Sequence, residues 1–210
     1  MDKLSSVEIN EMVISAYDHI ADSYTDAYAE NDNMDAKYLY EFVFRSRGKT
    51  ILDMGCGTGI NAYYLVKKGF DIIGIDISKN MLGVARKFYP SIRFEEQDIL
   101  HTSFDGESFD GIVLAYVINH FNQEGLEQLK NEINRILKKN GVLFISAHIG
   151  ESEKVVPDPL DASIHIYYNF LSIEVLDALF SDHKREYYST RQSYGKEEFL
   201  CDKMFVVYRK

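Results

Sequence analysis

An aspartate and three glycines follow one another in the segment ILDMGCGTGI, residues 51–60. Asp53 precedes Gly55, Gly57 and Gly59, and glycines after a strand let the chain turn tightly and let a ligand approach closely. The third glycine comes one residue too early for the G-x-G-x-x-G fingerprint of dinucleotide-binding loops. No Lys-Ser or Lys-Thr pair follows, as it would in an ATP-binding phosphate loop. Because a carboxylate repels phosphate and attracts a cation, the segment predicts a nucleotide-like ligand with positive charge.

Two further acids end the next two strand-like runs. Asp76 ends DIIGID, and Asp98 ends SIRFEEQD. An acid at the end of the second strand of a nucleotide-binding sheet typically accepts hydrogen bonds from ribose hydroxyls, and Asp98 can accept one from the exocyclic amine of adenine. The three acids therefore favour a ligand with a ribose, an adenine and a cationic group but no phosphate. S-adenosylmethionine has these parts.

The composition limits the class of protein. The chain has 210 residues, 46% of them hydrophobic and 27% charged, which is enough for one domain with an ordinary core. Its net charge of −10 disfavours binding to nucleic acid or to an anionic membrane through bulk charge. The two cysteines, Cys56 and Cys201, form no C-x-x-C pair, so neither a metal site nor a disulfide framework is expected. No signal peptide or membrane span is recognised, and we expect a cytoplasmic protein.

Strands alternate with helices from Thr50 onward, which predicts an α/β fold with a doubly wound, mostly parallel sheet. Residues 1–48 have helical periodicity and are expected to form an N-terminal helical cap. Residues 49–210 are expected to form a Rossmann-like domain, with residues 151–171 as an insertion on the substrate side. A long helix is predicted from Asn122 to Lys139. The last two apolar runs predict an antiparallel hairpin at one edge of the sheet.

Five segments, taken in order from about residue 50 to 147, resemble the class I S-adenosylmethionine-dependent methyltransferases that act on small molecules. They are LDMGCGTG, IIGIDIS with Met81 following, EEQDI, FDGIVLAYVINHF and ILKKNGVLFIS. The N-terminal YDHIADSY is also similar to the helix that precedes the sheet in such members, including those of quinone biosynthesis. The resemblance implies a seven-stranded sheet with one antiparallel C-terminal strand, and S-adenosylmethionine as the cofactor.

The resemblance also implies which residues bind the cofactor. The backbone of Gly55, Cys56 and Gly57 would line its methionine part, with Asp53 beneath the loop. Ala115 would present its carbonyl to the ammonium group.

Other positions would bind the nucleoside part and close the site. Asp76 would bind the ribose, with Ile77 against the adenine and Met81 nearby. Asp98 and Ile99 would frame the edge of the adenine. The remaining pair, Tyr17 and Tyr24, would close over the methionine end.

Two histidines follow strands whose ends face the expected site. His120 follows the fourth strand and His148 ends the fifth. Imidazole is available as a general base near neutral pH, so both are candidate catalytic residues. Each is also interpretable as a packed histidine that supports the wall of the site, and for His120 we favour that interpretation. Cys56 is interpreted as a small residue that fits the glycine loop.

The expected reaction is methyl transfer to a small-molecule acceptor by in-line displacement at the sulfonium methyl. The negative net charge and the lack of an Asn/Asp-Pro-Pro-aromatic motif argue against a nucleic acid acceptor. Two alternatives stay open: a non-catalytic S-adenosylmethionine-binding or partner protein, and, with less support, a nicotinamide-dependent oxidoreductase. The acceptor and the oligomeric state are not determined by these patterns.

Overall fold

A seven-stranded sheet forms the centre of the protein in the computed structural model, which describes residues 4–28, 35–193, 199 and 201–210. The strands of this sheet are β1 (Thr50–Met54), β2 (Asp71–Asp76), β3 (Arg93–Glu96), β4 (Phe109–Ala115), β5 (Leu137–His148), β8 (Lys184–Arg191) and β9 (Lys203–Arg209). Their order is β3-β2-β1-β4-β5-β9-β8. A second sheet pairs β6 (Glu153–Pro157) with β7 (His165–Asn169). The helices are α1 (Ser6–Tyr28), α2 (Ala36–Arg45), α3 (Ile60–Lys67), α4 (Lys79–Phe88), a 3-10 turn (Ile118–His120), α5 (Gln123–Ile136) and α6 (Ile173–Leu179).

The pairing of the strands confirms the predicted sheet. The strands β1 to β5 pair in parallel, whereas β9 is antiparallel to both of its neighbours, β5 and β8. Strand order reverses between β1 and β4. In doubly wound sheets, ligands bind at such a reversal, outside the carboxyl ends of the strands.

Apolar side chains cover both faces of the sheet, because successive residues of a strand point to opposite faces. Leu52 and Met54 belong to the core cluster that includes residues of α5 and α6, whereas Ile51 belongs to the cluster that includes residues of α2, α3 and α4. Asp53 lies between Leu52 and Met54 and thus points to the same face as Ile51. A carboxylate is therefore placed inside an apolar layer, beneath the glycine loop.

Helix ends near the site are set by local side chains. Ser78, a residue type that favours the position before a helix, precedes α4 and accepts a hydrogen bond from the backbone N–H of Met81 at 3.1 Å, so that it caps the helix. Asn122 precedes α5 and accepts one from the N–H of Gly125 at 3.0 Å. The prediction that this helix reaches Lys139 was wrong. It ends at Ile136, because Leu137 is fully buried and pairs with Phe109 in the sheet.

The N-terminal helix α1 lies over the carboxyl ends of the strands. It packs on α4 and on β7, and Ala16 shares a small apolar cluster with Ile166 and Tyr168 of the second sheet. Residues 151–171 thus include a two-stranded sheet that supports α1, while the division into a cap and a Rossmann-like domain stays a prediction. In the part of the chain that the structure describes, no helix has the length and apolarity to cross a bilayer.

Candidate cofactor and active site

A cavity of about 520 Å³ opens between α1 and the carboxyl ends of β1, β2 and β4. Most of the residues that the sequence indicates come together in its wall. They are Tyr17, Gly55, Gly57, Asp76, Ile77, Met81, Asp98, Ile99, Ala115 and His120. The cavity therefore joins the glycine loop, two of the three acids and one of the two candidate histidines.

The other predicted residues do not line the cavity or cannot be compared with it. Asp53 and Cys56 lie behind the glycine loop, and both are buried. Tyr24 belongs to α1, but its side chain lies outside the described part of the structure. His148 is buried and does not line this cavity.

The glycine loop requires its glycines for two different reasons. All three have positive φ, 71° at Gly55, 50° at Gly57 and 82° at Gly59, in the left-handed region that favours glycine. A Cβ on Gly55 would come within 2.4 Å of the side chain of Val117, so a larger residue does not fit there. A Cβ on Gly57 would meet no described atom within 4 Å. The backbone at Gly57 is therefore open to a ligand from the cavity.

Asp76 holds the glycine loop and the loop after β2 together. One of its carboxylate oxygens accepts a hydrogen bond from the N–H of Gly57 at 2.8 Å, and the other accepts one from the N–H of Ser78 at 2.9 Å. Burial raises the pKa of Asp76, while these backbone amides act in the opposite direction. Each oxygen keeps a further lone pair, so the carboxylate can also accept hydrogen bonds from a ligand in the cavity.

Asp53 is the most unusual carboxylate of the site. It is fully buried, and neither of its oxygens makes a hydrogen bond among the described residues. Burial, followed by the negative charge of Asp76, raises its pKa from 3.8 to about 7, and the backbone N–H of Ala62 opposes this without completing a hydrogen bond. A positively charged ligand above the loop would favour the ionised form of this group.

Asp98 and Ile99 lie at the end of β3. The carboxylate of Asp98 accepts a hydrogen bond from the N–H of Leu100 at 2.9 Å and so stabilises the turn that follows the strand. Ile99 is buried beside it.

Burial raises the pKa of the Cys56 thiol well above its usual range, which keeps the sulfur protonated and agrees with a packing role for this residue.

Tyr17, His120 and Tyr167 form a hydrogen-bonded series across the wall of the cavity. The Tyr17 hydroxyl lies 2.9 Å from Nε2 of His120, and Nδ1 of His120 lies 3.0 Å from the backbone carbonyl oxygen of Tyr167. The carbonyl can only accept, so Nδ1 carries the proton and Nε2 accepts from Tyr17. Burial lowers the pKa of His120 to about 4, and the ring is therefore neutral near pH 7.

His148 lies in an aromatic cluster instead of the cavity wall. Its ring centroid is 5.0 to 5.3 Å from those of Tyr116, Tyr168 and Phe199, and its backbone is bonded at both ends by the side-chain amide of Asn119. Burial lowers the pKa of His148 well below its usual range. His148 is therefore not among the residues that line this cavity, and a catalytic role for it stays a prediction.

Several residues that attach α1 to the site were not recognised in the sequence. Asp18 accepts a hydrogen bond from the Ser78 hydroxyl at 2.6 Å, and the Ser6 hydroxyl donates one to Asn122 at 3.2 Å. Both partners are helix caps, so α1 is attached to the first turns of α4 and α5. Only Asp18 carried a usable signal, because it directly follows Tyr17 in YDHIADSY.

A separate contact, which does not involve α1, surrounds Tyr116. This residue has a positive φ of 61° directly after β4. Its hydroxyl donates to Asp35 at 2.6 Å, and Asp35 also pairs with Arg191 at 2.7 Å. This contact joins the start of α2 to β8. Among the described residues, no group of three or more His, Cys, Asp or Glu side chains is arranged to hold a metal ion.

Comparison with known proteins relates this chain to methyltransferases. Residues 51–141 match a family model described as a methyltransferase domain. The demethylmenaquinone methyltransferase of Chlorobaculum tepidum is 37% identical over 100 residues, which are 47% of this chain and 40% of that protein. The chain spans about half the length of the curated relatives it matches.

Solved structures share the fold at low sequence identity. The 1,6-didemethyltoxoflavin-N1-methyltransferase of Burkholderia thailandensis, solved with 1,6-didemethyltoxoflavin and S-adenosylhomocysteine, has a TM-score of 0.77 at 15% identity, covering 100% of this chain and 92% of that one. The [4+2]-cyclase SpnF has a TM-score of 0.71 at 17% identity, covering 94% of each chain. Residues 51–141 of the chain thus match a methyltransferase domain, and the chain shares its seven-stranded fold with S-adenosylmethionine-dependent methyltransferases.

Proposed function

We propose that this protein binds S-adenosylmethionine in the cavity beneath α1 and transfers its methyl group to a small-molecule acceptor. The observation that carries the proposal is the meeting of an open glycine backbone at Gly57 with the carboxylates of Asp76 and Asp98 in one cavity. This combination has acceptors for a nucleoside and for positive charge, and it lacks the features of a phosphate-binding loop.

The residues present fit this cofactor. The space above Gly57 would admit the methionine part, and Asp53 beneath the loop is a buried carboxylate without a hydrogen bond among the described residues. The ammonium and sulfonium groups of the cofactor, bound above the loop, would bring positive charge close to the Asp53 carboxylate. Asp76 would accept from the ribose hydroxyls, and Asp98, with Ile77 and Ile99, would hold the adenine.

The cofactor itself supplies an activated methyl group, so the chain has little covalent chemistry to perform. Its residues would bind, orient and exclude water. Helix α1 covers the cavity through Tyr17, and apolar side chains of the same helix, such as Val13 and Ile14, also line the cavity. His120 is a poor candidate for a general base, because burial holds its pKa at about 4 and its Nε2 already accepts from Tyr17.

The charges of the cavity limit the class of acceptor. Among the described residues that line it, the acidic side chains are Glu11, Asp76, Asp98 and Glu124, and none is a lysine or an arginine. Desolvating an anionic acceptor against these carboxylates would be costly. We therefore propose an acceptor that is uncharged or cationic and has an apolar body. The Burkholderia methyltransferase, which was solved with 1,6-didemethyltoxoflavin, is an example of a small-molecule ligand on this fold.

Two measurements test the function in sequence. Calorimetry should detect binding of S-adenosylmethionine and S-adenosylhomocysteine, with NAD and ATP binding much more weakly. Incubation with methyl-labelled S-adenosylmethionine and fractionated small molecules should then give a labelled product together with S-adenosylhomocysteine. Tight binding of NAD without binding of either sulfur nucleotide would reject the proposal. Cofactor binding without any transfer would favour a non-catalytic role, and the fold match to a cyclase makes this second measurement necessary.

A further inference from the structure

Helices α2, α3 and α4 cover one face of the large sheet, and their outer side is rich in apolar side chains. Among the described residues, nine large hydrophobic side chains are exposed, and five of them lie on these three helices. The five are Tyr40, Phe44, Tyr63, Val66 and Phe88. We call these residues, together with Tyr64 and Tyr89, the aromatic face. Exposed apolar side chains that are gathered on one surface mark an interaction site, whereas scattered ones do not.

The rings of the aromatic face form a row across the three helices. Tyr63 of α3 stacks on Tyr89, which follows α4, with 4.6 Å between the ring centroids, and Phe88 lies 6.4 Å from Tyr89. Burial, followed by the nearby Tyr40 hydroxyl, raises the pKa of Tyr64, so α2 and α3 also meet through their aromatic residues. The exposed rings are therefore neighbours and not isolated positions.

The charges around the aromatic face differ from those of the whole chain. Residues 54–93, which include α3 and α4, contain six basic residues and only two acids, although the net charge of the chain is −10. Lys67, Lys68 and Lys87 are exposed, and each ammonium group lies 5.2 to 5.9 Å from the centroid of a ring of the aromatic face. None of these three lysines forms an ion pair with a carboxylate in the part of the chain that the structure describes.

The other three basic residues of this segment have polar partners. Lys79 and Arg93 pair with glutamates of β3, and Arg86 donates a hydrogen bond to the backbone carbonyl of Phe94 at 2.9 Å. The ring contacts of the three exposed lysines leave their ammonium groups at the surface, where they can meet an anionic partner. The aromatic face therefore combines apolar area with positive charge.

This combination limits what can cover the aromatic face. A second copy of the chain bound through the same face would bring lysines against lysines, which is unfavourable. Interfaces between proteins are depleted in lysine. Lysines beside exposed aromatic and aliphatic side chains are instead typical of helices that lie on anionic membranes, where the rings enter the headgroup region and the ammonium groups meet lipid phosphates.

We propose that the aromatic face, with Lys67, Lys68 and Lys87, docks the protein on the surface of a bilayer that contains anionic phospholipids. The negative charge of the rest of the chain opposes this contact, so the attraction is local and orients the protein. The three lysines lie at the carboxyl ends of α3 and α4, whereas the cavity lies at the amino ends of the same helices. Docking through the aromatic face would thus leave the cavity accessible.

Flotation with lipid vesicles tests the proposal on the full chain. Vesicles of phosphatidylcholine and phosphatidylglycerol in equal parts should carry the protein, whereas vesicles of phosphatidylcholine alone should carry much less, and added salt should weaken the binding. The double variant Lys67→Gln/Lys87→Gln should bind the anionic vesicles about 30-fold more weakly, at about 5-fold for each lysine. Phe88→Ala should weaken binding by about 3-fold to 10-fold, because less apolar area enters the headgroup region.

The matched control is Lys139→Gln/Lys154→Gln, which changes the net charge equally at two exposed lysines outside these helices. Its binding should change by less than about 3-fold, since charges far from the lipid surface are screened. An equal loss of binding in both double variants would show that only net charge matters and would overturn the proposal. Absence of binding to the anionic vesicles would also overturn it, and would indicate an acidic protein surface as the occupant. The experiment needs no cofactor, so its result is independent of the proposed function.

Discussion

The carboxylate of Asp18 accepts a hydrogen bond of 2.6 Å from the hydroxyl of Ser78, the residue that caps α4. The same carboxylate accepts a second bond from the N–H of Asn80 at 3.2 Å. Its negative charge also contributes to the raised pKa of Asp76, although less than burial does. Helix α1 and Asp76, the proposed ribose-binding carboxylate, are thus linked through the short segment that joins β2 to α4.

Replacing Asp18 with alanine should weaken the attachment of α1 to the start of α4. We expect Asp18→Ala to lower the free energy of unfolding by about 1–3 kcal/mol, because the buried Ser78 hydroxyl loses a charged acceptor. Hydrogen exchange within α1 should become faster, and cofactor should slow it again, as for a segment that closes a site. Urea unfolding and exchange mass spectrometry measure both effects. His19→Ala, at the neighbouring and more exposed position, serves as the control. Equal protection of α1 with and without cofactor would mean that this helix is ordinary scaffold.

Asp76 should matter for binding more than for folding. We expect Asp76→Ala to weaken the binding of S-adenosylhomocysteine by roughly 2–4 kcal/mol, the value of two hydrogen bonds from the ribose to a charged acceptor. Asp76→Asn keeps one acceptor for the Gly57 and Ser78 amides and should have a smaller effect on stability. Asp71→Ala, at the exposed start of the same strand, is the matched control. Calorimetry decides, and an affinity unchanged within error would place the ribose elsewhere.

Asp53 should give the stability of the protein a distinct pH dependence. Its pKa rises from 3.8 to about 7 on folding, so between these values the native state holds a proton that the unfolded chain has lost. The contribution of Asp53 to the free energy of unfolding therefore falls as pH increases through this window and is constant above it.

The variant Asp53→Asn cannot titrate and should lack this fall. Its stability relative to the unchanged protein should increase by about 2–3 kcal/mol between pH 5 and pH 8. The lowered pKa values of His120 and His148 act in the opposite direction, but they are present in both proteins and cancel in the comparison. Urea unfolding at the two pH values measures the difference. A relative stability that is independent of pH would show that Asp53 is ionised throughout.

The two histidines should differ in their effects. His148→Gln should reduce thermal stability, because it removes a ring from a buried aromatic cluster, and should leave the affinity for S-adenosylhomocysteine nearly unchanged. His120→Gln should reduce turnover by less than about 100-fold, since general base catalysis would be worth about 10²–10⁴-fold. Measurements of kcat and cofactor affinity test this once an acceptor is known. A larger loss of kcat in His120→Gln, with cofactor affinity and stability intact, would establish His120 as the base.

Local patterns in the sequence determined much of the fold and the class of ligand. The alternation of strands and helices, the cap at Ser78 and the positions of the three acids depend on neighbours in the chain, and each agrees with the structure. The glycine loop is local in the same sense, because a positive φ at Gly55, Gly57 and Gly59 is a property of the backbone at those residues. These features predicted the doubly wound, mostly parallel sheet, whereas the seven-stranded methyltransferase form followed from the resemblance of five segments to a known family.

Contacts between distant segments decided the rest. His120 and His148 are alike in the sequence, yet the partners of His120 come from α1 and β7, whereas His148 is surrounded by aromatic rings from three other segments. The end of α5 at Ile136 and the attachment of Asp18 to Ser78 also depend on residues far along the chain. Periodicity and spacing describe which face of an element is apolar, but not which partner it meets. The contact between Tyr17 and His120 forms only once those segments have packed together.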